Sequence, residues 1–171
     1  MKLNILHILL YLFICSACNS EEKFSVDYVD PFIGIGFHGH TYPGATAPFG
    51  AVQLSPDTRV GNWDACAGYH YNDTTLRGFS HTHLSGTGCI DLGDILFRPT
   101  TQEPSFTNEF FYSPANFSHQ DEMASAGYYS VLLKDEGIKA ELTATPHVGM
   151  HRYTYLTGNL AAVIVDMAQI G

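Results

Sequence analysis

Period-two alternation over the C-terminal third of the chain constrains its fold more than any other feature. Gly127-Tyr-Tyr-Ser-Val-Leu-Leu133, Ile138-Lys-Ala-Glu-Leu-Thr-Ala144 and Met150-His-Arg-Tyr-Thr-Tyr155 each alternate apolar and polar residues, and Leu160 to Met167 is a short apolar run. Successive side chains of a strand point to opposite faces, so such segments bury one face and wet the other. Asp135-Glu136-Gly137 and Thr157-Gly158-Asn159 separate the runs as turns. No stretch sustains a 3.6-residue apolar period, so helices are expected to be minor. The pattern predicts an all-β chain, an antiparallel β-sandwich. Residues 27–100 are less regular and rich in Gly, Pro, His and aromatics, and Pro99 to Gln120 reads as a polar loop. A hydrophobic fraction of 45% excludes a disordered chain. The net charge of -9, with eight scattered basic residues, argues against a nucleic-acid partner.

The first residues read as an address. Lys2 precedes an apolar run from Leu3 to Ile14, and Ser16 and Ala17 stand before Cys18. This is the pattern of a secretory signal, too short to span a bilayer. Cysteine after small residues resembles a bacterial lipobox, and Ser20-Glu21-Glu22 resembles the surface-export signal of Bacteroidetes lipoproteins. The expected layout is a signal peptide over 1–17, lipidation at Cys18, a linker over 18–26 and one domain over 27–171. The mature chain would then be exported, to the periplasm or as an outer-membrane or cell-surface lipoprotein held by its lipid. Cys66 and Cys89 would remain, either bridged or as two buried thiols, and both readings stay open. A strand at Ala161–Asp166 followed by five residues reads as a chain that continues in its parent protein.

Several constellations could carry chemistry. Gly34-x-Gly36-x-x-Gly39 matches a dinucleotide fingerprint by letter, but Pro43 breaks the helix that motif requires. His38-x-His40 and His81-x-His83 could each grip a metal if they lay on a strand, or could orient loops and sugars through hydrogen bonds. Trp63-Asp64 sits in a Gly-rich stretch near Tyr69 and Tyr71. An indole offers a flat apolar face to a pyranose, and a carboxylate accepts bonds from its hydroxyls. The alternative is a tryptophan packed in the core.

A larger ordered set of motifs runs through the chain: Tyr28-Val-Asp-Pro-Phe-Ile-Gly34, Gly39-His-Thr-Tyr-Pro-Gly44, Ala47-Pro-Phe-Gly50 and Val52-Gln-Leu-Ser-Pro-Asp57. Trp63-Asp64, Gly68-Tyr-His70, Gly78-Phe-Ser-His-Thr-His-Leu-Ser-Gly86 and Asp91-Leu-Gly-Asp-Ile-Leu96 follow. Together they resemble the N-terminal domain of glycoside hydrolase family 92, the exo-acting α-mannosidases, over about residues 27 to 167. At Ile35-Gly36-Phe37 the family more often shows Thr and Gly. The resemblance implies a β-sandwich packed on a C-terminal (α/α)6 barrel, and an inverting, calcium-dependent hydrolysis of mannose-containing oligosaccharides such as N-glycans. It also implies that the acid–base pair and calcium ligands lie in that barrel, so that the 171 residues alone are inactive. On this reading Gly39, His40, Trp63, Asp64, His81 and His83 bind substrate. A stand-alone carbohydrate-binding module is the alternative.

Overall fold

The computed structural model describes residues 23–61, 63–86, 88–89, 93–103, 113–158 and 160–167. The expected leader 1–17, Cys18 and Asp91 lie outside them. Eleven strands are present among the described residues: β1 Ala45–Thr46, β2 Gln53–Asp57, β3 Thr75–Leu76, β4 Gly78–Ser80, β5 Leu96–Thr100, β6 Ala115–Asn116, β7 Glu122–Ser125, β8 Tyr128–Leu133, β9 Ile138–Ala144, β10 Gly149–Tyr155 and β11 Ala162–Asp166. Helical structure is limited to three short 3-10 turns at Ser25–Tyr28, Trp63–Ala65 and His119–Asp121.

The alternating segments behave as their periodicity demands. Strands β7 to β10 form an antiparallel meander ordered β10-β9-β8-β7, with Val131 opposite Ala140 and Arg152 opposite Glu141. Gly127 and Gly137 take positive φ at its first two turns, where a side chain would be strained. β8 points Tyr129, Val131 and Leu133 inward, and β9 points Ile138, Ala140 and Leu142 the same way. The second sheet, ordered β1-β2-β4-β5-β11, supplies Ala45, Leu54 and Phe79 to the same core. Two sheets face each other across one apolar layer, as a β-sandwich requires. A small antiparallel ladder pairs β3 with β6 and adds Leu76 and Ala115 to the core.

Two polar devices tie the elements together. Arg98 of β5 and Glu136 of the β8–β9 turn form a buried ion pair, and Glu136 also accepts the Thr101 N–H at 2.7 Å. On the wet face of β9, Glu141 takes a forked contact from Arg152 at 2.7 and 2.8 Å, with the Tyr128 hydroxyl at 2.7 Å. The Arg152 guanidinium, helped by that hydroxyl, pushes the Glu141 carboxyl down to about 2.

The loop expected over Pro99–Gln120 is corrected in part. Its start is the end of β5, where Pro99 lies opposite Val163, and Ala115–Asn116 is a strand. Proline lacks a ladder donor but fits a strand where none is needed. Two-residue ladders such as β3–β6 are too short to leave a periodic trace.

Candidate functional site

The glycine-rich segment folds as a loop over the Trp63 turn. Gly39 closes it by donating its N–H to the Gly36 carbonyl at 2.9 Å, and a β-carbon there would collide with the Gly34 carbonyl. Phe37 sits in the left-handed region at φ 60, where glycine costs nothing and phenylalanine is strained. Its carbonyl is captured at 3.0 Å by Nε2–H of the buried His70, whose Nδ1 in turn accepts the Asn72 N–H at 3.2 Å. The strained turn is thereby held from beneath.

This loop brings two histidines to the Trp63–Asp64 pair. The His38 ring meets the Asp64 carboxylate, Nδ1 to Oδ1, at 2.8 Å, and this bond holds the Asp64 carboxyl below its usual range. The His40 ring stands edge-on to the indole, with centroids 5.0 Å apart, and its buried Nε2 has no hydrogen-bond partner among the described residues. Gly88 lies so close to the six-membered part of the Trp63 ring that a β-carbon would overlap it. Trp63 itself is 61% exposed and outside the core cluster. It lies on a 3-10 turn rather than the extended backbone that alternation would require of it. The result is a flat indole, an exposed imidazole, a carboxylate and an unpaired buried nitrogen within one patch.

His81 and His83 are corrected as a pair. Strand β4 ends at Ser80, so the two rings do not share a strand face. His83 is 3% exposed and both its nitrogens are engaged, Nδ1 with the Gln53 carbonyl at 2.7 Å and Nε2 with Asp57 Oδ1 at 3.0 Å. Ser80 donates to the other Asp57 oxygen at 2.6 Å. Burial opposes charge on His83, but the Asp57 carboxylate and the Gln53 carbonyl outweigh it and raise its pKa. Gly68 makes this possible, since a β-carbon there would strike Asp57 Oδ1. His83 braces the floor instead of lining a pocket. His81 faces β10, its Nε2 3.2 Å from that of His151. Burial, then the His81 charge, pushes His151 down to about 4.

Cys66 is buried and its thiol donates to the Trp63 carbonyl at 2.6 Å, whereas Cys89 is exposed; no disulfide joins them. Neither the bridged reading nor the reading of two buried thiols describes this arrangement. Asp94 accepts the Thr82 hydroxyl at 3.1 Å. Among the described residues no three His, Cys, Asp or Glu side chains converge to hold a metal.

The family model for the glycosyl hydrolase family 92 N-terminal domain matches residues 28–171. The chain belongs to this family. A family 92 α-mannosidase from Bacteroides thetaiotaomicron, solved with mannoimidazole, is 47% identical with a TM-score of 0.78, over 83% of this chain and 19% of its own. The family 92 inverting mannosidase from Bacteroides thetaiotaomicron VPI-5482 is 28% identical with a TM-score of 0.66, over 85% of this chain and 20% of its own. An uncharacterised secreted glycosidase of Arthroderma benhamiae is 28% identical over 154 residues, 84% of this chain and 20% of its own. The chain thus spans about a fifth of the length of these relatives. Gly88 is a site residue that sequence reasoning did not single out and that left no signal; His38 was read there as half of the His38-x-His40 pair, and His70 only as part of the Gly68-Tyr-His70 motif.

Proposed function

We propose that this chain forms the substrate-pocket side of an exo-acting, inverting, calcium-dependent α-mannosidase, exported as a lipid-anchored protein and acting on mannose-containing glycans. Family membership and the mannosidases among its relatives support the reading. The observation that carries it is the exposed Trp63 ring beside His40, whose buried Nε2 has no partner among the described residues. Buried polar atoms are normally satisfied, so an orphan at the edge of an aromatic platform suits a ligand hydroxyl.

In this reading the indole stacks on the C–H face of a mannose ring, Asp64 accepts a hydroxyl, and His40 bonds a second. His38 holds Asp64 in place. These contacts orient the sugar; they neither donate nor remove the proton of the glycosidic step. Inversion needs two carboxyl groups about 6.5–9.5 Å apart with water between them, and these are assigned to the companion (α/α)6 domain together with the calcium ligands. Export is supported by the leader pattern and by the secreted description of the fungal relative.

The test is Trp63→Ala in the full-length enzyme. Stacking and the geometry it imposes on the Asp64 bond contribute about 2–4 kcal/mol, so kcat/KM falls roughly 30- to 1,000-fold. The melting temperature holds, because the ring lies outside the core. A collapsed melting temperature with unchanged kcat/KM in the folded fraction would refute the assignment.

A further inference from the structure

A second concavity opens on the same loop and shares none of the platform residues. Phe32, Gly34, Ile35, Gly36, Tyr71, His119 and Glu122 line a cleft of about 380 Å³. We propose that this cleft is a second sugar-binding site, which takes one neutral pyranose residue of a glycan. The proposal rests on the reading of the chain as glycan-binding and adds a site to it.

The cleft is built from its floor upward. The Glu122 side chain is 1% exposed and accepts three donors: the Tyr129 hydroxyl at 2.7 Å, the Tyr69 hydroxyl at 3.0 Å and His119 Nδ1 at 2.7 Å. Burying a carboxylate this deeply is costly unless its oxygens are satisfied, and here they are. One consequence is that the His119 ring has a fixed orientation. With Nδ1–H committed to Glu122, Nε2 of the neutral ring has no protein partner among the described residues and can accept from a hydroxyl. Second-sphere carboxylates orient metal-bound and catalytic imidazoles in the same way.

The wall is equally ordered. Tyr71 stacks on His119 with centroids 4.1 Å apart and planes 13° from parallel, and Phe117 meets the same imidazole edge-on at 5.3 Å. Tyr71 is pinned in turn by its N–H bond to the Ile35 carbonyl at 2.8 Å. Phe32 adds a further aromatic surface.

These features select the ligand class. Among the described residues no Lys or Arg lines the cleft, and a carboxylate lies at its floor, so phosphate and carboxylate ligands are disfavoured. Aromatic walls with one convergent imidazole suit a ring having an apolar face and hydroxyl edges. The volume lies near the lower end of small-ligand pockets, about 300–1,000 Å³, and matches one sugar residue better than an extended chain.

The experiment titrates the 171-residue chain, kept below the concentration at which it scatters light, with methyl α-D-mannopyranoside while backbone amide resonances are followed. It uses wild type, Trp63→Ala, Tyr71→Ala and His119→Gln. Tyr71 is 45% exposed, so its truncation spares the core, and glutamine keeps a donor for Glu122 while removing the ring. Two groups of amides shift in the wild type, one around Trp63 and one around His119 and Glu122. Tyr71→Ala and His119→Gln each weaken the second group about tenfold and leave the first unchanged. Cleft shifts that survive both substitutions, or a Trp63 response with no cleft response, overturn the second site. A cleft response without a Trp63 response sustains it and overturns the platform instead. Silence at both up to the solubility of the sugar overturns both.

Discussion

At the scale of single residues, the histidines of the described region take up sharply different work. His83 pairs with Asp57 under full burial, and breaking such a pair leaves an uncompensated buried carboxylate. His83→Ala is therefore expected to cost about 3–5 kcal/mol in denaturant unfolding, while the amide response around Trp63 persists in the folded protein. His151 works in the opposite sense. Its folded pKa of about 4 lies below the ordinary value of 6.5, so the native state resists the proton that the unfolded chain accepts. Its contribution to stability is complete above pH 6.5 and is lost progressively as the pH falls from about 6.5 to about 4. The loss approaches about 3 kcal/mol, and below pH 4 it levels off. His81, 3.2 Å away and itself held low mainly by burial, adds to the same window, and the Tyr153 hydroxyl at 2.6 Å faces the other ring nitrogen. Denaturation midpoints measured from pH 7.5 to 4 should fall less steeply in His151→Gln than in the wild type.

At the scale of elements, the loop over 34–40 is the part on which the site depends. Gly39→Ala would drive a β-carbon into the Gly34 carbonyl, so the loop must open. Because the loop lies outside both sheets, the melting temperature should drop by only a few degrees while kcat/KM of the full-length enzyme falls at least tenfold. Equal fractional losses in both would show that Gly39 serves only folding. The same loop shows what could be read from letters. Strands β8, β9 and β10 were visible because each spans six or seven residues with one wet face, and their partners are next in sequence. The grouping of Gly39 and His40 with Trp63 and Asp64 was visible only as ordered motifs of a family. Nothing local shows that His40 and Trp63, 23 positions apart, will touch. The reading of His81 and His83 as one strand-borne pair failed because two-residue spacing has meaning only while the strand continues, and β4 ends at Ser80, before the pair begins. His119 and Glu122 carried no signal at all, since the cleft forms only when β7 closes beside the Gly34–Gly36 backbone.

At the scale of the molecule, the described surface carries an unusual share of large apolar side chains near this loop and the N-terminal segment. Phe24, Tyr28, Ile33, Phe37 and Phe49 are all more than two-thirds exposed. Patches of this kind mark contact surfaces, and the proposed companion domain is the partner that would cover them. The isolated chain should therefore self-associate, seen as light scattering that rises with concentration, and Phe49→Ser should reduce it. Purified alone, it should release no mannose from a mannobiose with or without calcium; release would place the catalytic carboxylates within these 171 residues. The position of Trp63 has one further consequence. It is the sole tryptophan of the chain and it stands 61% exposed against His40 and Gly88. Ultraviolet emission excited at the indole band therefore comes from one ring in one place, and its colour and accessibility to a neutral quencher follow the solvent at that patch alone. The chain carries its own optical gauge, with no label to attach and no second indole to subtract.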